Sequence, residues 1–379
     1  MQRSEARIDL AAIRANVETL RAATPADVLA VVKADGYGHG LVPAARAALA
    51  GGATWLGTAF AEEALALRQA GITAPILSWL ATPGENLTAA VAADIDLSAA
   101  AVWGLAEIVV AAQTAGRTAR VHLKVDTGLA RGGATPADWP ELVTAAAEAA
   151  AEGTVQIIGI WSHFTYADTP HHPTNTHQID AFRAALEIAK DLGVVPHLRH
   201  LANSAATLTL PDAHFDLVRP GIAVYGLSPT PPARPPGLVP AMTLASHLAL
   251  TKRVAAGTGV SYGHQYHTDR GATLALVPLG YADGVPRSAT NTAEVWLAGR
   301  RRRIAGRVCM DQFMLDVGTD PVQAGDEVVL FGPGHDGEPT AQEWADALDT
   351  ISYEIVTRVG ARVPRSYSGS TPVTRGNAP

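Results

Sequence analysis

Hydrophobic and polar positions follow two alternating patterns through the first part of the chain. Short apolar runs typical of buried strands alternate with alanine-rich segments whose apolar residues recur at helical spacing, such as Ile13, Val17 and Leu20. Two of the helical segments, AEEALALRQAG and AFRAALEIAKDLG, end in glycine, as helix C-termini often do. The apolar runs lie near residues 28–33, 53–59, 75–79, 95–98, 119–125, 155–162, 197–202 and 214–218. Eight strands interleaved with helices predict an α/β fold with a parallel (β/α)8 TIM barrel.

The pattern changes at the segment SPTPPARPPGL, residues 228–238, which has five prolines in eleven residues and can continue neither a helix nor a strand. Beyond it, short β-rich pieces separated by glycine turns predict a mainly antiparallel β domain, with one short helix in AQEWADAL. We therefore expect a barrel domain over residues 1–236 and a β-rich C-terminal domain over residues 237–379. The tail after about residue 366 is expected to be disordered.

Composition narrows the class of protein. The 379 residues are 47% hydrophobic and 17% charged, with a formal net charge of −7, which is typical of a soluble globular protein and argues against a nucleic-acid-binding surface. The basic run Arg300–Arg303 is interpreted as a solvated turn. No apolar stretch reaches the roughly 18 residues of a membrane span, and the N-terminus lacks the apolar core of a signal peptide. The single cysteine, Cys309, excludes a disulfide within the chain, so we expect a cytoplasmic protein.

The stretch VVKADGYGHG, residues 31–40, carries the first candidate for chemistry. A predicted strand ends at Lys33, and three glycines follow within seven residues, which indicates a loop at the tip of the strand. The lysine is either an ordinary exposed charge or a reactive amine with a lowered pKa, as Schiff-base lysines require. Tyr37 lies four residues further on, beside a glycine-lined backbone, where its phenol could donate a hydrogen bond to a phosphate.

Further polar residues follow the other predicted strands, and the C-terminal ends of all strands of a barrel converge on one mouth. Loops after the last two strands of a barrel often bind phosphate. For residues in those loops, structural roles stay open: a helix N-cap for Ser204, a turn for Gly221 and an ion pair for Arg219. The candidates are Lys124 and Arg131 in KVDTGLAR, His163 in WSHF, Asn203 and Ser204 in HLANSAA, and Arg219, Gly221 and Ile222 in VRPGIAVYG.

The string KADGYGHG resembles the cofactor-lysine signature of alanine racemases, which use pyridoxal 5′-phosphate (PLP). The segments VRPGIAVYG, VSYG, GYADGVPR, GRVCMDQ and ISYEIVTR match further motifs of that family, in the family's order. The resemblance implies that Lys33 forms the Schiff base with PLP and that His163 and Asn203 also contact the cofactor. The phosphate would be held by Tyr37, Ser204, Gly221, Ile222 and Tyr353.

The resemblance places Arg219 at the pyridine nitrogen of PLP. Many PLP enzymes have a carboxylate at this point, which keeps the nitrogen protonated and makes the ring a strong electron sink. An arginine cannot accept a proton there, so the sink is weaker. A weaker sink favours rapid reprotonation of the substrate over transamination.

Racemisation removes a proton from one face of the α-carbon and delivers a proton to the other, so two groups must flank the external aldimine. The resemblance assigns these roles to Lys33 and to Tyr262 of GVSYGHQY. A phenol with a pKa of about 10 needs help to act as a base near neutral pH, and a relay from Tyr262 through His163 to Arg219 would supply it. In the family this tyrosine reaches the partner's active site, which implies a homodimer with shared active sites.

The remaining assignments from the resemblance concern the small amino-acid substrate. Arg131 and the backbone near Met310 would contact its carboxylate, and Tyr281 would narrow the entrance so that a small side chain is favoured. In many family members the lysine that matches Lys124 is carbamylated. The outer entrance would be lined by Arg287, Arg307 and Asp168. The implied activity is the interconversion of L- and D-alanine, which supplies D-alanine for peptidoglycan.

The sequence leaves three alternatives open. A PLP-dependent decarboxylase shares the barrel and β architecture but is expected to carry a carboxylate where Arg219 stands. A racemase of broader specificity, acting on serine or larger amino acids, would share almost every residue named. A PLP-binding protein without enzymatic activity would be a single barrel, against which the β-rich residues 239–365 count. We assign no function, and no metal site, to the loop that contains His171, His172 and His177.

Overall fold

The computed structural model describes residues 2–230 and 237–369, which form two compact units. The barrel unit comprises the described parts of residues 13–36 and 41–238. The β unit comprises the described parts of residues 1–12, 37–40 and 239–379. Residues 231–236, which contain the predicted domain boundary, lie outside the described residues, so the boundary stays a prediction. No helix in the described part of the chain is long and apolar enough to cross a membrane.

The strands, in chain order, are β1 (Ser4–Asp9), β2 (Asp27–Val31), β3 (Trp55–Thr58), β4 (Ile76–Ser78), β5 (Asp96–Ala99), β6 (Ala119–Lys124), β7 (Val155–Trp161), β8 (Leu198–His200), β9 (Leu217–Val218), β10 (Met242–His247), β11 (Leu250–Val254), β12 (Gly259–Val260), β13 (Tyr266–His267), β14 (Ala272–Val277), β15 (Glu294–Leu297), β16 (Arg300–Arg303), β17 (Phe313–Gly318), β18 (Glu327–Phe331) and β19 (Arg365–Ser368). The α-helices are α1 (Leu10–Ala22), α2 (Leu41–Ala50), α3 (Ala61–Gln69), α4 (Thr88–Ala92), α5 (Val102–Ala115), α6 (Trp139–Ala151), α7 (Pro173–Asp191), α8 (Ser204–Thr209), α9 (Ala341–Ala347) and α10 (Ser352–Thr357).

The barrel unit is built on eight parallel strands in the order β8-β7-β6-β5-β4-β3-β2-β9. Its two ends meet through backbone hydrogen bonds, from Asp216 N to Arg199 O at 3.0 Å and from Arg219 N to Ala202 O at 2.9 Å. Strands of a parallel barrel are covered by helices outside and by packed side chains inside, which explains why they appear in the sequence as continuous apolar runs. The predicted (β/α)8 barrel is confirmed.

Glycines end two of the barrel helices, as the sequence predicted. Gly71 and Gly193 follow α3 and α7 with φ of 81° and 83°, in the left-handed region that glycine adopts without strain. The next residues close the helix ends, because Ile72 N donates to Leu67 O at 3.1 Å and Val194 N donates to Ala189 O at 2.8 Å.

The β unit contains a six-stranded sheet in the order β16-β15-β18-β10-β1-β19, a three-stranded sheet β11-β14-β17 and the pair β12-β13. Its pairings are antiparallel except that of β19 with β1, so the predicted mainly antiparallel domain is confirmed. Strand β1 comes from the N-terminus and pairs with β10 in this unit.

Two expectations for the β unit differ from the structure. Ser366–Ser368 belong to strand β19, whose backbone pairs with β1, although we expected disorder after about residue 366. The rest of the expected tail, residues 370–379, lies outside the described residues. The run Arg300–Arg303 forms strand β16 rather than a solvated turn. The alternation of the strand turns Arg302 inward, where it is buried and paired with Asp320, while its neighbours stay exposed.

Candidate active site

Lys33 opens a tight turn two residues beyond the end of β2. The next three residues, Ala34, Asp35 and Gly36, have φ of 53°, 53° and 61°, in the left-handed region that is costly for residues with a Cβ atom. The turn is held from α3, where Glu63 Oε1 accepts a hydrogen bond from Ala34 N at 2.6 Å. Because two hydrogen-bonded carboxylates, Glu63 and Asp35, fix the turn, the position of the lysine is fixed as well.

The amine of Lys33 is half-buried, with Nζ 5.8 Å from the ring centroid of Trp79. Burial lowers the pKa of Lys33, the positive charge of Arg131 lowers it further, and Glu63 opposes both. A lowered pKa raises the fraction of neutral, nucleophilic amine at neutral pH.

Lys124 is the last residue of β6 and is buried, with Nζ 4.3 Å from the ring centroid of Trp161. Burial lowers the pKa of Lys124 to about 8, and the charges of Arg219 and Arg131 contribute to the same shift. A second lysine in the barrel unit is therefore partly neutral near physiological pH.

Arg219 follows β9 and is 5% exposed. Its guanidinium donates to the carbonyls of Ser162 at 2.7 Å and Leu201 at 3.2 Å and to His200 Nδ1 at 3.1 Å. Nη2 lies 3.4 Å from His163 Nδ1. These contacts, rather than a carboxylate, orient the side chain. Burial lowers the pKa of Arg219 to about 9, so it still carries its charge at neutral pH.

His163 lies beside Arg219 at the end of β7. Burial lowers the pKa of His163 well below its ordinary value, and Arg219 and then Arg131 contribute further. The imidazole is therefore neutral at physiological pH, with one nitrogen able to accept and the other able to donate. Those are the properties that a relay histidine requires.

The loops after β8 and β9 meet at Ser204. Its Oγ accepts hydrogen bonds from Gly221 N at 2.8 Å and Ala223 N at 3.3 Å. The N-cap of α8 is Asn203, whose Oδ1 accepts from Ala206 N at 3.1 Å, so Ser204 is the first residue of the helix rather than its cap. The candidate phosphate residues Ser204, Gly221 and Ile222 thus lie together in the barrel unit.

Tyr37 and Tyr353 come together in the β unit, with ring centroids 6.2 Å apart. Burial raises the pKa of Tyr37, and Tyr353 raises it further. The phenol of Tyr37 therefore stays protonated and able to donate across the physiological pH range.

The other candidates of the β unit lie on exposed loops. Tyr262 is 72% exposed, Met310 is 53% exposed and Tyr281 is 45% exposed. Backbone hydrogen bonds from Tyr281 N to Cys309 O at 3.1 Å and from Ala282 N to Met310 O at 3.0 Å join the loops that carry Tyr281 and Met310. Arg287 and Arg307 also belong to this unit, whereas Asp168 belongs to the barrel unit.

The histidine loop has a local structural role. His172 caps α7, since its Nδ1 accepts a hydrogen bond from Thr174 N at 3.3 Å, and its ring stacks on Tyr166 at a centroid distance of 3.8 Å. Across residues 2–230 and 237–369, no group of three or more His, Cys, Asp or Glu side chains is placed to hold a metal ion.

Sequence reasoning missed Trp161 and His200. The two rings lie parallel, 5.7 Å apart, and Trp161 also lies under Lys124 and 4.7 Å from Arg219 Cζ. Both residues begin motifs that were singled out for a later residue, WSHF for His163 and HLANSAA for Asn203 and Ser204. A polar ring in a buried strand needs a hydrogen-bond partner, and that requirement would have pointed to His200.

Comparison with known proteins gives matches over nearly the whole chain. The family profile "Alanine racemase, N-terminal domain" matches residues 8–229, and "Alanine racemase, C-terminal domain" matches residues 241–367. An alanine racemase of Frankia casuarinae is 68% identical over 96% of both chains, and one of Salinispora arenicola is 62% identical over 98% of this chain and 100% of that protein.

Solved structures agree with these matches. The alanine racemase of Streptomyces lavendulae superposes with a TM-score of 0.96 at 57% identity, over 98% of both chains. The alanine racemase of Bacillus anthracis with bound L-Ala-P superposes with a TM-score of 0.90 at 37% identity, over 98% of this chain and 96% of that chain. The motif resemblance is confirmed: the chain belongs to the alanine racemase family and is an isomerase.

Proposed function

We propose that the protein interconverts L- and D-alanine in the cytoplasm with PLP as its cofactor and supplies D-alanine for peptidoglycan. The observation that carries this proposal is the set of cations in the barrel unit around a lysine with a lowered pKa. Arg131 lowers the pKa of Lys33, and Arg219 and Arg131 lower that of Lys124. Cations gathered in a partly buried site are costly unless an anion joins them.

PLP and its substrate supply anions that fit this donor set. The cofactor carries a phosphate and a phenolic oxygen, and the amino acid adds a carboxylate. The hydroxyl of Ser204 and the backbone of Gly221 and Ile222 would bind the phosphate, with the neutral phenols of Tyr37 and Tyr353 as further donors. Asn203, which caps α8, would support this loop, and Arg131 would bind the carboxylate.

Each residue of the barrel unit has a role that follows from its chemistry. When bound, PLP withdraws electrons from the α-carbon of the substrate. Lys33 would hold the cofactor covalently and then carry a proton at Nζ on one face of that carbon. Arg219 would donate to the ring nitrogen without giving up its proton, and the neutral His163 beside it would accept or donate within the relay.

The second proton carrier would be Tyr262, supplied by the partner subunit of a homodimer. Its 72% exposure within its own chain suits a side chain that acts on a surface outside that chain. Tyr281 and Met310 would reach the substrate from the same unit, with Arg287, Arg307 and Asp168 at the entrance. These assignments are supported by the family match, since Tyr262, Tyr281 and Met310 lie within residues 241–367, which match the C-terminal domain of the family.

Lys124 would be carbamylated. Its pKa of about 8 leaves a fraction of neutral amine at neutral pH, and a neutral amine adds to carbon dioxide to give a carbamate anion and one proton. The nearby cations of Arg219 and Arg131, which disfavour an ammonium at this position, would stabilise the carbamate.

A racemisation assay tests the proposed function. Purified protein is incubated with L-alanine, L-serine or L-lysine, and the enantiomers are separated by chiral chromatography while carbon dioxide release is measured in parallel. We expect formation of D-alanine at the highest rate and the absorbance of a PLP Schiff base in the protein. Comparable rates with serine or lysine would instead support the broader-specificity racemase, and carbon dioxide release without D-alanine would support the decarboxylase.

A further inference from the structure

A row of buried hydrogen bonds leads from Arg219 across the interior of the barrel unit. His200 Nδ1 accepts from Arg219 at 3.1 Å, His200 Nε2 lies 2.9 Å from His122 Nδ1, and His122 Nε2 lies 3.1 Å from Asp96 Oδ2. Both histidines are 0% exposed and Asp96 is 1% exposed. Arg120 binds the two oxygens of Asp96 at 2.7 and 3.1 Å. His122, Asp96 and Arg120 have no role in the proposed chemistry.

The two ends of this row fix the position of every proton in it. A guanidinium can only donate, so His200 Nδ1 must be an acceptor. Burial and the charge of Arg219 lower the pKa of His200 well below its ordinary value, so the ring is neutral and carries its proton on Nε2. His122 Nδ1 then accepts, and His122 Nε2–H donates to the Asp96 carboxylate, which can only accept while it is bound by Arg120. Each of the three hydrogen bonds from Arg219 to Asp96 therefore has its donor on the Arg219 side and its acceptor on the Asp96 side.

Strand geometry makes room for this row. Gly159 of β7 lies beside the two rings, and a Cβ atom there would be 2.4 Å from His122 Nδ1 and 3.1 Å from His200 Nε2. The register between β6 and β7 also shifts between Val121 and His122, and such a bulge re-aims a side chain within a sheet. The sheet departs from regular geometry at the position where the two histidines meet.

We propose that Asp96 and His122 are positioning residues, which set the tautomer of His200 and thereby the orientation of Arg219. The effect of this positioning on racemisation rests on the proposed function, in which Arg219 donates to the ring nitrogen of the cofactor. If the row reversed, His200 Nδ1 would carry the proton and would face a guanidinium that also donates. That contact would be repulsive, and Arg219 would shift.

The substitution Asp96→Asn should reverse the donor and acceptor roles along the row, although it replaces only one carboxylate oxygen by an NH2 group. Arg120 Nε makes the shorter of its two contacts, 2.7 Å to Oδ1, so the amide oxygen takes that position and the NH2 group takes the position of Oδ2, which faces His122 Nε2. His122 must then accept at Nε2 and donate from Nδ1, and His200 must accept at Nε2 and carry its proton on Nδ1. The added substitution Arg120→Leu removes the competing donors and lets the amide oxygen face His122 again, which restores the original order.

Imidazole ¹⁵N chemical shifts of the full-length protein test the proposal without reference to activity. Signals are assigned by comparison with His122→Gln and His200→Gln variants. We expect both rings to be neutral with the proton on Nε2 in the wild type and in the double variant, and on Nδ1 in Asp96→Asn. A wild-type His200 that is protonated on Nδ1 overturns the proposal, and this result stands even if Asp96→Asn does not fold.

Kinetics with L-alanine give the second readout. We expect kcat of Asp96→Asn to fall by about tenfold or more with KM within about twofold, as when a catalytic histidine is held in the wrong tautomer, and we expect the double variant to recover most of kcat. Asp216→Asn is the matched control, because Asp216 makes the same two-point contact with Arg199, at 2.7 and 2.8 Å, without touching a histidine. Equal kcat losses in the two single variants would overturn the proposal. A wild type without racemase activity would refute the proposed function and leave the tautomer test intact.

Discussion

One group of candidate residues in the barrel unit and another on the exposed loops of the β unit have opposite character. In the barrel unit, Lys124 and Arg219 are buried and His163 is half-buried, and neighbouring charges add to the effect of burial on the pKa values of Lys124 and His163. In the β unit, Tyr262 and Tyr281 are 72% and 45% exposed. The first set is organised by contacts within its own unit. The second set lies on the surface of its unit, so any chemistry of these side chains depends on groups outside that unit.

This contrast predicts how substitutions behave. A change inside the barrel set removes buried charge or hydrogen bonds, so it should alter stability, pH dependence and activity together. A change at an exposed tyrosine should alter activity with little change in stability, because exposed substitutions usually stay within about 0.5 kcal/mol.

Lys33→Ala should abolish racemisation, with a loss of about 10⁴-fold or more, because under the proposed function this one side chain would both hold the cofactor and move a proton. The absorbance of the PLP Schiff base should disappear as well. Both are measured by chiral chromatography and ultraviolet–visible spectroscopy of purified protein. Lys252→Ala, an exposed lysine of the β unit, is the control and should retain both signals. Retained Schiff-base absorbance in Lys33→Ala would contradict the assignment.

Tyr262→Phe should lower racemisation by about 10² to 10⁴-fold while leaving thermal stability almost unchanged. If the two protons are carried by different residues, the α-proton of L-alanine should exchange with solvent more slowly than in the wild type, by a larger factor than the α-proton of D-alanine does. NMR in deuterated buffer measures both exchange rates. Equal losses for the two enantiomers would argue against two separate carriers.

Tyr266→Phe, four residues further on, is the matched variant for that test. Its hydroxyl donates to Asp316 at 2.8 Å and the residue is half-buried. Losing this charge-assisted hydrogen bond should cost about 1.5–3 kcal/mol of stability without lowering kcat. Opposite outcomes for the two tyrosines would show that exposure separates catalytic from structural roles in this unit.

The sequence predicted the fold through patterns that local physics controls. Apolar runs, helical spacing and terminal glycines specify the barrel, because each of these features acts within a few residues. The motif resemblance named Lys33, Arg219 and Tyr262. It did not reveal Trp161, His122 or Asp96, since their importance comes from contacts between strands that lie far apart in sequence, such as His122 with His200. Arg302 was misjudged for a related reason, because a run of four arginines hides the alternation that buries one of them.

Lys124→Met should stabilise the folded protein in buffer free of carbon dioxide. The pKa of Lys124 is about 8 in the folded protein and about 10.5 when unfolded, so burying the charge costs about 3 kcal/mol at pH 7. Loss of the contact with Trp161 offsets about 0.5–2 kcal/mol of that gain. Between pH 8 and 10.5 the unfolded state binds the extra proton, so wild-type stability rises with pH and the advantage of the variant shrinks.

Denaturant unfolding between pH 7 and 10.5 measures that difference, with the exposed Lys190→Met as control. Adding bicarbonate should then stabilise the wild type and leave Lys124→Met unaffected, because only the wild type can form a carbamate. A pH-independent difference between wild type and Lys124→Met would contradict the lowered pKa, and equal effects of bicarbonate on both would contradict carbamylation.

Among these substitutions, Tyr281→Ala should change the rate of alanine racemisation least. It should have a larger effect on the selectivity between alanine and serine. The backbone of this loop is held by hydrogen bonds to Cys309 and Met310, so truncating a side chain that is 45% exposed should leave the loop in place. A wider entrance admits larger side chains, and one methylene is worth about 10 to 200-fold in discrimination by a close-fitting pocket, with less expected at a partly open entrance. We expect kcat/KM for serine relative to alanine to rise by a few-fold to about tenfold, with the rate on alanine changed by less than about threefold. If selectivity stayed constant while alanine turnover collapsed, Tyr281 would belong with the catalytic residues, and the exposed set would have to be divided in two.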